Sequence, residues 1–171
     1  TLDIHEQLSG GIMQLSHMTF DPLLRWTKDL GFEPRLAESW ERIDDKTMRF
    51  KLREGVTFHS GNELTTADVK FTFDRLKQSQ DFKAIFKPFS GINIIDDYTF
   101  ELVTSDPYPL LLNTATYIFP FDSEFYSGQT EDGKDKSAIL KHGNSFASEN
   151  LSGTGPYTVT ERKQGVRVEF E

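Results

Sequence analysis

The sequence contains no cysteine. Without thiols the chain has no disulfide framework, no thiolate metal ligand and no cysteine nucleophile. Long apolar runs are missing as well: no stretch approaches the roughly 20 residues that span a bilayer, and the first residues show no basic-then-apolar leader. We therefore expect no direct insertion into a membrane.

Positive charge is also scarce. Lysine and arginine number 19 against 27 aspartates and glutamates, which gives a formal net charge of -8. An acidic surface repels nucleic acids and anionic lipids, so we expect no nucleic-acid partner. The 171 residues, of which 36% are hydrophobic, suffice for one globular core, and the 15 phenylalanines must either fill that core or line a groove.

The sequence lacks the motifs of common enzymes. The segment His5-Glu6 is not followed by the second histidine of a zinc-protease helix. The loop Gly153-Thr154-Gly155 has neither the lysine of a phosphate loop nor the third glycine of a dinucleotide fingerprint, so it predicts a tight turn before a strand. Ser16 and His17 are adjacent and would point in different directions on a helix. We predict a protein that is not an enzyme and holds no cofactor or metal.

Hydrophobic periodicity identifies the best-defined elements. Apolar residues alternate with polar ones in Thr47–Arg53, which predicts a strand with one buried face. Thr65, with Asp68 three residues later, predicts a capping box before a helix whose apolar positions recur at helical spacing. Two alternating stretches, Ile92–Ile94 and Tyr98–Leu102, predict a hairpin.

Weaker patterns complete the secondary-structure prediction. They are a helix at Ile12–Phe20, a helical turn at Leu36–Trp40, an extended piece at Val56–Phe58, a short helix at Leu110–Asn113, a surface excursion at Ser127–Asn150 with one helical turn at Ser137–Leu140, and strands at Tyr157–Val159 and Val166–Phe170 around a turn at Arg162–Gly165. Because the last strand runs to the end of the sequence, we expect the chain to be part of a larger protein.

Three motifs, in this order and spacing, resemble one protein family. The runs Pro34–Glu41, Met48–Gly61 and Thr65–Phe73 are similar to the extracellular solute-binding proteins of peptide and nickel ABC importers, known as family five. The segment Leu2-Asp3-Ile4-His5 and the loop Gly153–Tyr157 extend the similarity over nearly the whole chain. Ile4 stands where the family often has proline.

The resemblance implies an α+β fold with mixed, mostly antiparallel sheets and flanking helices, as part of lobe I of a two-lobe periplasmic binding protein. It divides the chain into three segments: 1–32 as a piece of the basal sheet subdomain, 33–150 as the large N-terminal subdomain, and 151–171 as strands returning to the basal subdomain. The second lobe would lie outside this sequence.

The implied function is that of the substrate-binding component of an ABC importer, which captures an oligopeptide or similar solute. Its partner would be the membrane permease and ATPase complex, and its location periplasmic or on the cell surface. Two related alternatives are a solute-sensing domain of a transcription regulator and a nickel-chelate or heme-binding importer component. An unrelated hydrolase is disfavoured because no nucleophile motif is present.

The resemblance also indicates which segments would face the solute, namely 5–13, 81–86 and 114–117. The residues expected to bind it are His5, Gln7, Gly11, Met13, Phe82, Phe86, Thr116 and Tyr117. Phenylalanine and tyrosine rings offer flat apolar surface, and threonine and tyrosine add hydroxyl groups. His5 and Met13 keep the metal-chelate alternative open. Each aromatic residue of this set would fit the core equally well.

Overall fold

A computed structural model describes residues 1–163 and 167–171. Its helices are α1 (Gly10–Thr19), α2 (Thr66–Gln78), α3 (Lys83–Phe86) and α4 (Leu111–Ala115), and its strands are β1 (Leu24–Trp26), β2 (Phe32–Pro34), β3 (Ala37–Arg42), β4 (Thr47–Leu52), β5 (Phe89–Ile94), β6 (Thr99–Thr104), β7 (Val159–Lys163) and β8 (Arg167–Phe170). No helix in this part of the chain is both long and apolar enough to cross a membrane.

A four-stranded antiparallel sheet is the centre of the fold. Its strand order is β3-β4-β6-β5, and two separate hairpins, β1-β2 and β7-β8, accompany it. Along β4 the residues Met48, Phe50 and Leu52 are buried, and the ring of Phe50 stacks on that of its cross-strand partner Phe100 at 5.3 Å. The predicted strand at Thr47–Arg53, the hairpin that follows α2 and the α+β class are confirmed.

The helical turn predicted at Leu36–Trp40 is wrong, because Ala37–Arg42 is strand β3. Its pairing with β4 changes register between Ala37 and Ser39, and Trp40 then pairs with Phe50. A bulge adds one residue and breaks the two-residue alternation of a strand. Residues four apart lie on the same side of a strand as well as of a helix, so the spacing of Leu36 and Trp40 did not distinguish the two structures.

Helix α2 begins with the predicted capping box. The hydroxyl of Thr65 accepts from the amide of Ala67 at 3.3 Å, and the carboxylate of Asp68 accepts from the amide of Thr65 at 2.8 Å. The apolar face of α2 includes the buried Phe73, whose ring meets Phe89 of strand β5 edge-on. The helix prediction is therefore confirmed, and α2 covers one face of the sheet.

The weaker predictions have mixed outcomes. Helices α1 and α4 confirm the two short helices, and Thr57 forms an isolated bridge with Glu63 in the predicted extended piece. The second strand of the last hairpin is confirmed at Arg167–Phe170, whereas the first begins at Val159 and extends through two residues of the predicted turn. Gln164, Gly165 and Val166 lie outside the described residues.

The excursion from Ser127 to Asn150 differs from its prediction in two ways. No helical turn occurs at Ser137–Leu140, and 3-10 turns lie instead at Lys141–Gly143 and Phe146–Ser148. Ser145 is also buried, so this segment belongs partly to the interior. Polar composition hid this role, because the buried serine hydroxyl is satisfied by a charged partner far away in sequence.

Buried apolar side chains form two clusters. The larger one joins the sheet to α2 and reaches Leu23 and Leu24. The smaller one is made of Ile4, Phe20, Phe119, Phe121, Tyr126 and Ala147. It therefore combines residues of the predicted segments 1–32 and 33–150, while the three-segment division itself stays a prediction.

The loop Gly153-Thr154-Gly155 lies against the end of α1. A Cβ atom on Gly153 would come within 2.0 Å of the carbonyl oxygen of Thr19, and one on Gly155 within 2.6 Å of the carbonyl carbon of Thr19. The carbonyl oxygen of Gly153 accepts from the backbone amide of His59 at 2.9 Å. The carbonyl oxygen of Gly155 lies 2.8 Å from Nε2 of the same histidine. The glycines of this motif therefore join three segments of the chain: the loop itself, the end of α1 and the segment at His59.

Candidate functional site

An open groove of about 520 Å³ lies between the start of α1, strand β1 and the residues that follow α4. It is lined by Leu8, Ser9, Gly10, Met13, His17, Leu24, Arg25, Trp26, Thr116 and Tyr117. Three of the residues expected to bind a solute, Met13, Thr116 and Tyr117, are brought together here. The volume lies within the range of pockets that hold small molecules.

Strand β1 supplies the aromatic wall of the groove. Trp26 pairs with Phe32 across the β1-β2 hairpin, and the two rings are 4.6 Å apart. Next to them Arg25 pairs with Glu33, and its Nε lies 3.1 Å from that carboxylate. Cross-strand pairs of this kind fix side chains on one face of a hairpin. Trp26 is held in place and still 39% exposed.

Thr116 and Tyr117 form the opposite side of the groove. The hydroxyl of Thr116 donates to the carbonyl of Asn113 at 2.7 Å and is nearly buried. The half-buried ring of Tyr117 is supported by the edge of Phe82 at 6.5 Å. The tyrosine therefore contributes an exposed ring surface, whereas the hydroxyl of Thr116 is already used within the protein.

His17 is a groove residue that the sequence did not indicate. Its ring contacts Phe119 edge-on at 5.1 Å. Partial burial lowers the pKa of His17 below the usual 6.5, and the positive charge of Arg25 lowers it further, while Asp21 acts in the opposite direction. At neutral pH the groove therefore contains an uncharged imidazole, which can donate or accept a hydrogen bond.

Behind the groove, a buried ion pair fixes the N-terminal segment to α2. The guanidinium of Arg75 donates to both carboxylate oxygens of Asp3, at 2.6 and 2.8 Å, and the hydroxyl of Ser145 donates to the same carboxylate at 2.8 Å. Burial alone would raise the pKa of Asp3, but the hydrogen bonds and charge of Arg75 hold that pKa below its ordinary value. Asp3 is therefore ionised inside the core.

His5 belongs to this buried cluster and not to the groove, which corrects its expected role. Arginine is only a donor, so Nδ1 of His5 accepts from Arg75 at 2.9 Å and the proton resides on Nε2. Among the described residues Nε2 has no hydrogen-bond partner. Burial lowers the pKa of His5 to about 3, and the positive charge of Arg75 adds to the shift. The ring stacks on Phe121 at 4.1 Å and is 1% exposed, so it offers nothing to a solute.

Phe82 and Phe86 also differ from their expected role, because both are buried in the larger core cluster. Phe86 meets Phe73 edge-on at 5.8 Å and lies 5.8 Å from Phe89. Neither ring presents a surface to the groove. Phe82 acts only indirectly, through its contact with Tyr117.

Gln7 and Gly11 do not line the groove. Gln7 borders a separate, more polar cavity of about 310 Å³ together with Glu6, Gln78, Gln80, Asp81, Ile139, Lys141 and His142. The carboxylate of Asp81 accepts from the backbone amide of Leu8 at 2.9 Å and so fixes the chain between the two cavities. Gly11 is exposed in the first turn of α1, with open space around it.

The contribution of strand β1 to the groove was not predicted from the sequence. Leu24, Arg25 and Trp26 form a strand of only three residues, too short to show a clear alternation. The aromatic pairing of Trp26 with Phe32 was the one available signal, because two aromatic residues six positions apart can face each other across a hairpin. In the described part of the chain no group of three His, Cys, Asp or Glu residues is placed to hold a metal ion.

The fold agrees with the comparison to known families. The family model for bacterial extracellular solute-binding proteins, family 5 Middle, matches residues 31–171. The chain belongs to this family of solute-binding proteins, which confirms the resemblance found in the sequence motifs.

Individual relatives give the same picture. The dipeptide-binding protein of Escherichia coli is 29% identical over 160 residues, which cover 81% of this chain and 28% of that protein. The oligopeptide-binding protein AppA of Bacillus subtilis, solved with a nonapeptide, has a TM-score of 0.84 at 20% identity over 99% of this chain and 33% of its own. NikZ of Campylobacter jejuni, solved with Ni(L-His), has a TM-score of 0.74 at 24% identity over 91% of this chain and 30% of its own. The chain thus spans about a third or less of these relatives.

Proposed function

We propose that this chain forms part of the substrate-binding component of an ABC importer and captures an oligopeptide or similar solute. The observation that carries the proposal is the open groove of about 520 Å³ in a chain of this family. Its walls are largely apolar and aromatic, with a few polar groups among them, which suits a site that holds a solute without reacting with it. The peptide-binding relatives named above support oligopeptides as the solute class.

The proposed partner is the permease and ATPase complex of the importer, and the proposed location is periplasmic or on the cell surface. The family description, which names extracellular proteins, supports this location. The chain would contribute to lobe I, with 1–32 and 151–171 in the basal subdomain and 33–150 as the large N-terminal subdomain. Of the residues expected from the sequence, Met13 and Tyr117 are the ones proposed to contact the solute.

The complete gene product tests this function. It is purified without denaturant, and the small molecules released on unfolding are identified by mass spectrometry. We expect peptides among them, and an increase in melting temperature with a peptide library, because a ligand at 100 times its Kd stabilises the native state by about 2.7 kcal/mol. If no peptide is released and the melting temperature does not rise with the peptide library, the proposal is contradicted.

A metal chelate is a second candidate solute, and one feature of the groove favours it. Met13 and His17 both line the groove, so a thioether and a neutral imidazole face the same space as Arg25. The similarity to NikZ, which was solved with Ni(L-His), supports this candidate. Calorimetric titration with the nickel-histidine complex, with nickel alone and with a tripeptide separates the two candidates. Binding of the nickel-histidine complex that is lost in the His17→Gln variant would support the metal chelate as the solute.

A further inference from the structure

We infer that the β1 side of the groove selects solutes with a large apolar or aromatic group and disfavours solutes that present a cation there. The inference rests on the proposed function, since it specifies which solutes the groove accepts. It depends on three features of the groove: exposed apolar surface held in place, a volume larger than one ring, and an uneven distribution of charge.

The described residues of this chain leave part of the apolar surface of the groove exposed. Trp26 and Leu8 are each 39% exposed and face the same groove as Met13 and Leu24. The tryptophan ring is held by its contact with Phe32 at 4.6 Å. A ring already fixed before binding loses little conformational entropy when a ligand stacks on it.

The size of the groove sets the size of the group that it accepts. A cavity of about 150 Å³ is enough for a benzene ring. The groove of about 520 Å³ therefore accommodates an aromatic side chain together with several backbone atoms. A solute with a small side chain, such as alanine, would leave part of the Trp26 surface uncovered and would gain correspondingly less binding free energy.

The charges around the groove disfavour a cation. Among the described residues that line it, Arg25 is the one with a formal charge at neutral pH, because His17 is neutral. The nearest carboxylate partner, Glu33, lies 3.1 Å from Arg25 and 3.3 Å from Arg35, so two guanidinium groups share one acid. Asp21 accepts from the hydroxyl of Thr154 at 3.1 Å and does not line the groove.

The test uses the complete gene product and tripeptides Ala-Ala-Ala in which one position at a time is Phe, Leu or Lys. At one position we expect Phe and Leu peptides to bind with a Kd about tenfold or more below that of the alanine peptide, the effect of burying a large apolar side chain. The lysine peptide should bind more weakly than the alanine peptide. Trp26→Ala should reduce the preference for Phe over Ala at least about threefold, since the stacking of two aromatic side chains contributes binding free energy on that order.

Leu30→Ala is the matched control, because Leu30 lies on the same hairpin, is 80% exposed and does not line the groove. It should leave the preference unchanged. Arg25→Gln should narrow the gap between the lysine and alanine peptides. If Trp26→Ala fails to fold, Met13→Ala provides the same comparison from the α1 side of the groove.

The outcomes separate this inference from the proposed function. If tripeptides bind the wild-type protein without preference at any position, or if Trp26→Ala and Met13→Ala both keep the preference, the inference is overturned and peptide capture stands. If no peptide binds the wild-type protein, the proposed function fails and the inference fails with it.

Discussion

Arg75 holds both carboxylate oxygens of Asp3, at 2.6 and 2.8 Å, with both side chains almost fully buried. The same arginine donates to His5 at 2.9 Å and, through Nε, to the carbonyl of Ser137 at 2.8 Å. One side chain of α2 therefore fixes both the N-terminal segment, through Asp3 and His5, and the segment at Ser137.

Loss of Arg75 should destabilise the protein strongly. Arg75→Met leaves the carboxylate of Asp3 buried without its partner, which costs about 3 to 5 kcal/mol. The free energy of unfolding, measured by urea titration, is the readout. The matched control is Lys70→Met, which breaks the exposed pair between Lys70 and Asp74 at 2.6 Å and should cost less than about 1 kcal/mol. Equal losses in the two variants would contradict the role of burial.

Stability should fall with acid in a window set by His5. The pKa of His5 is lowered to about 3 in the folded state from about 6.5 when unfolded, so the unfolded chain binds the proton first. Its contribution is fully present above pH 6.5 and is lost progressively as the pH falls towards 3, by up to about 1.4 kcal/mol per pH unit. Asp3, whose pKa is also lowered, adds a loss at lower pH.

His5→Asn isolates this effect, because asparagine retains an acceptor for Arg75 and does not titrate. Urea titrations at several pH values between 4 and 7 should show a shallower dependence on pH in the variant than in the wild type. An identical dependence in both proteins would contradict the assignment of the proton uptake to His5.

A methyl group on Gly153 should not be tolerated. Its Cβ would lie 2.0 Å from the carbonyl oxygen of Thr19, and the contacted atom belongs to the backbone. Gly153→Ala should therefore cost about 1 to 3 kcal/mol or more. Gly11→Ala is the control, because a Cβ there meets nothing within 4 Å and alanine favours a helix by about 0.5 to 1 kcal/mol. Melting temperatures should move in opposite directions, and a neutral Gly153→Ala would show that the loop can move away.

The two residues of the capping box should differ in their effects. Thr65→Ala removes one cap contact and should cost about 1 kcal/mol. Asp68→Ala should cost more, because its carboxylate accepts from the amide of Thr65 and also from the amide of Ser123, each at 2.8 Å. Differential scanning calorimetry of both variants checks the order, and a larger loss in Thr65→Ala would reverse it.

Local patterns predicted much of the fold. The capping box at Thr65 and the alternation in β4 depend on residues close in sequence, and both appear as expected. The bulge in β3 could not be anticipated, since it depends on pairing with another strand. Of the residues that the family resemblance indicated, Met13, Thr116 and Tyr117 line the groove, but the resemblance could not separate lining residues from buried ones.

The role of His5 shows why the rest of the site could not be predicted from the sequence. Its buried ring contacts Arg75, 70 positions away, and Phe121, and no local pattern links these residues. Phe82 and Phe86 were ambiguous for a related reason: aromatic residues suit a core and a groove equally, and only the packed structure distinguishes them. Trp26 went unnoticed because three residues of strand give too little periodicity.

The contact between the end of α1 and the loop at Gly153–Gly155 also bears on how the protein is made. Asp21 and Thr154 are 133 positions apart and are joined by hydrogen bonds in both directions. On a ribosome that adds about 5 to 20 residues per second, the loop that secures the end of α1 follows Asp21 by about 7 to 27 seconds. During that interval the end of α1 lacks the hydrogen bonds that Gly155 and Tyr157 donate to Thr19 and Met18, so we expect this end of the helix to be unprotected until the loop is in place.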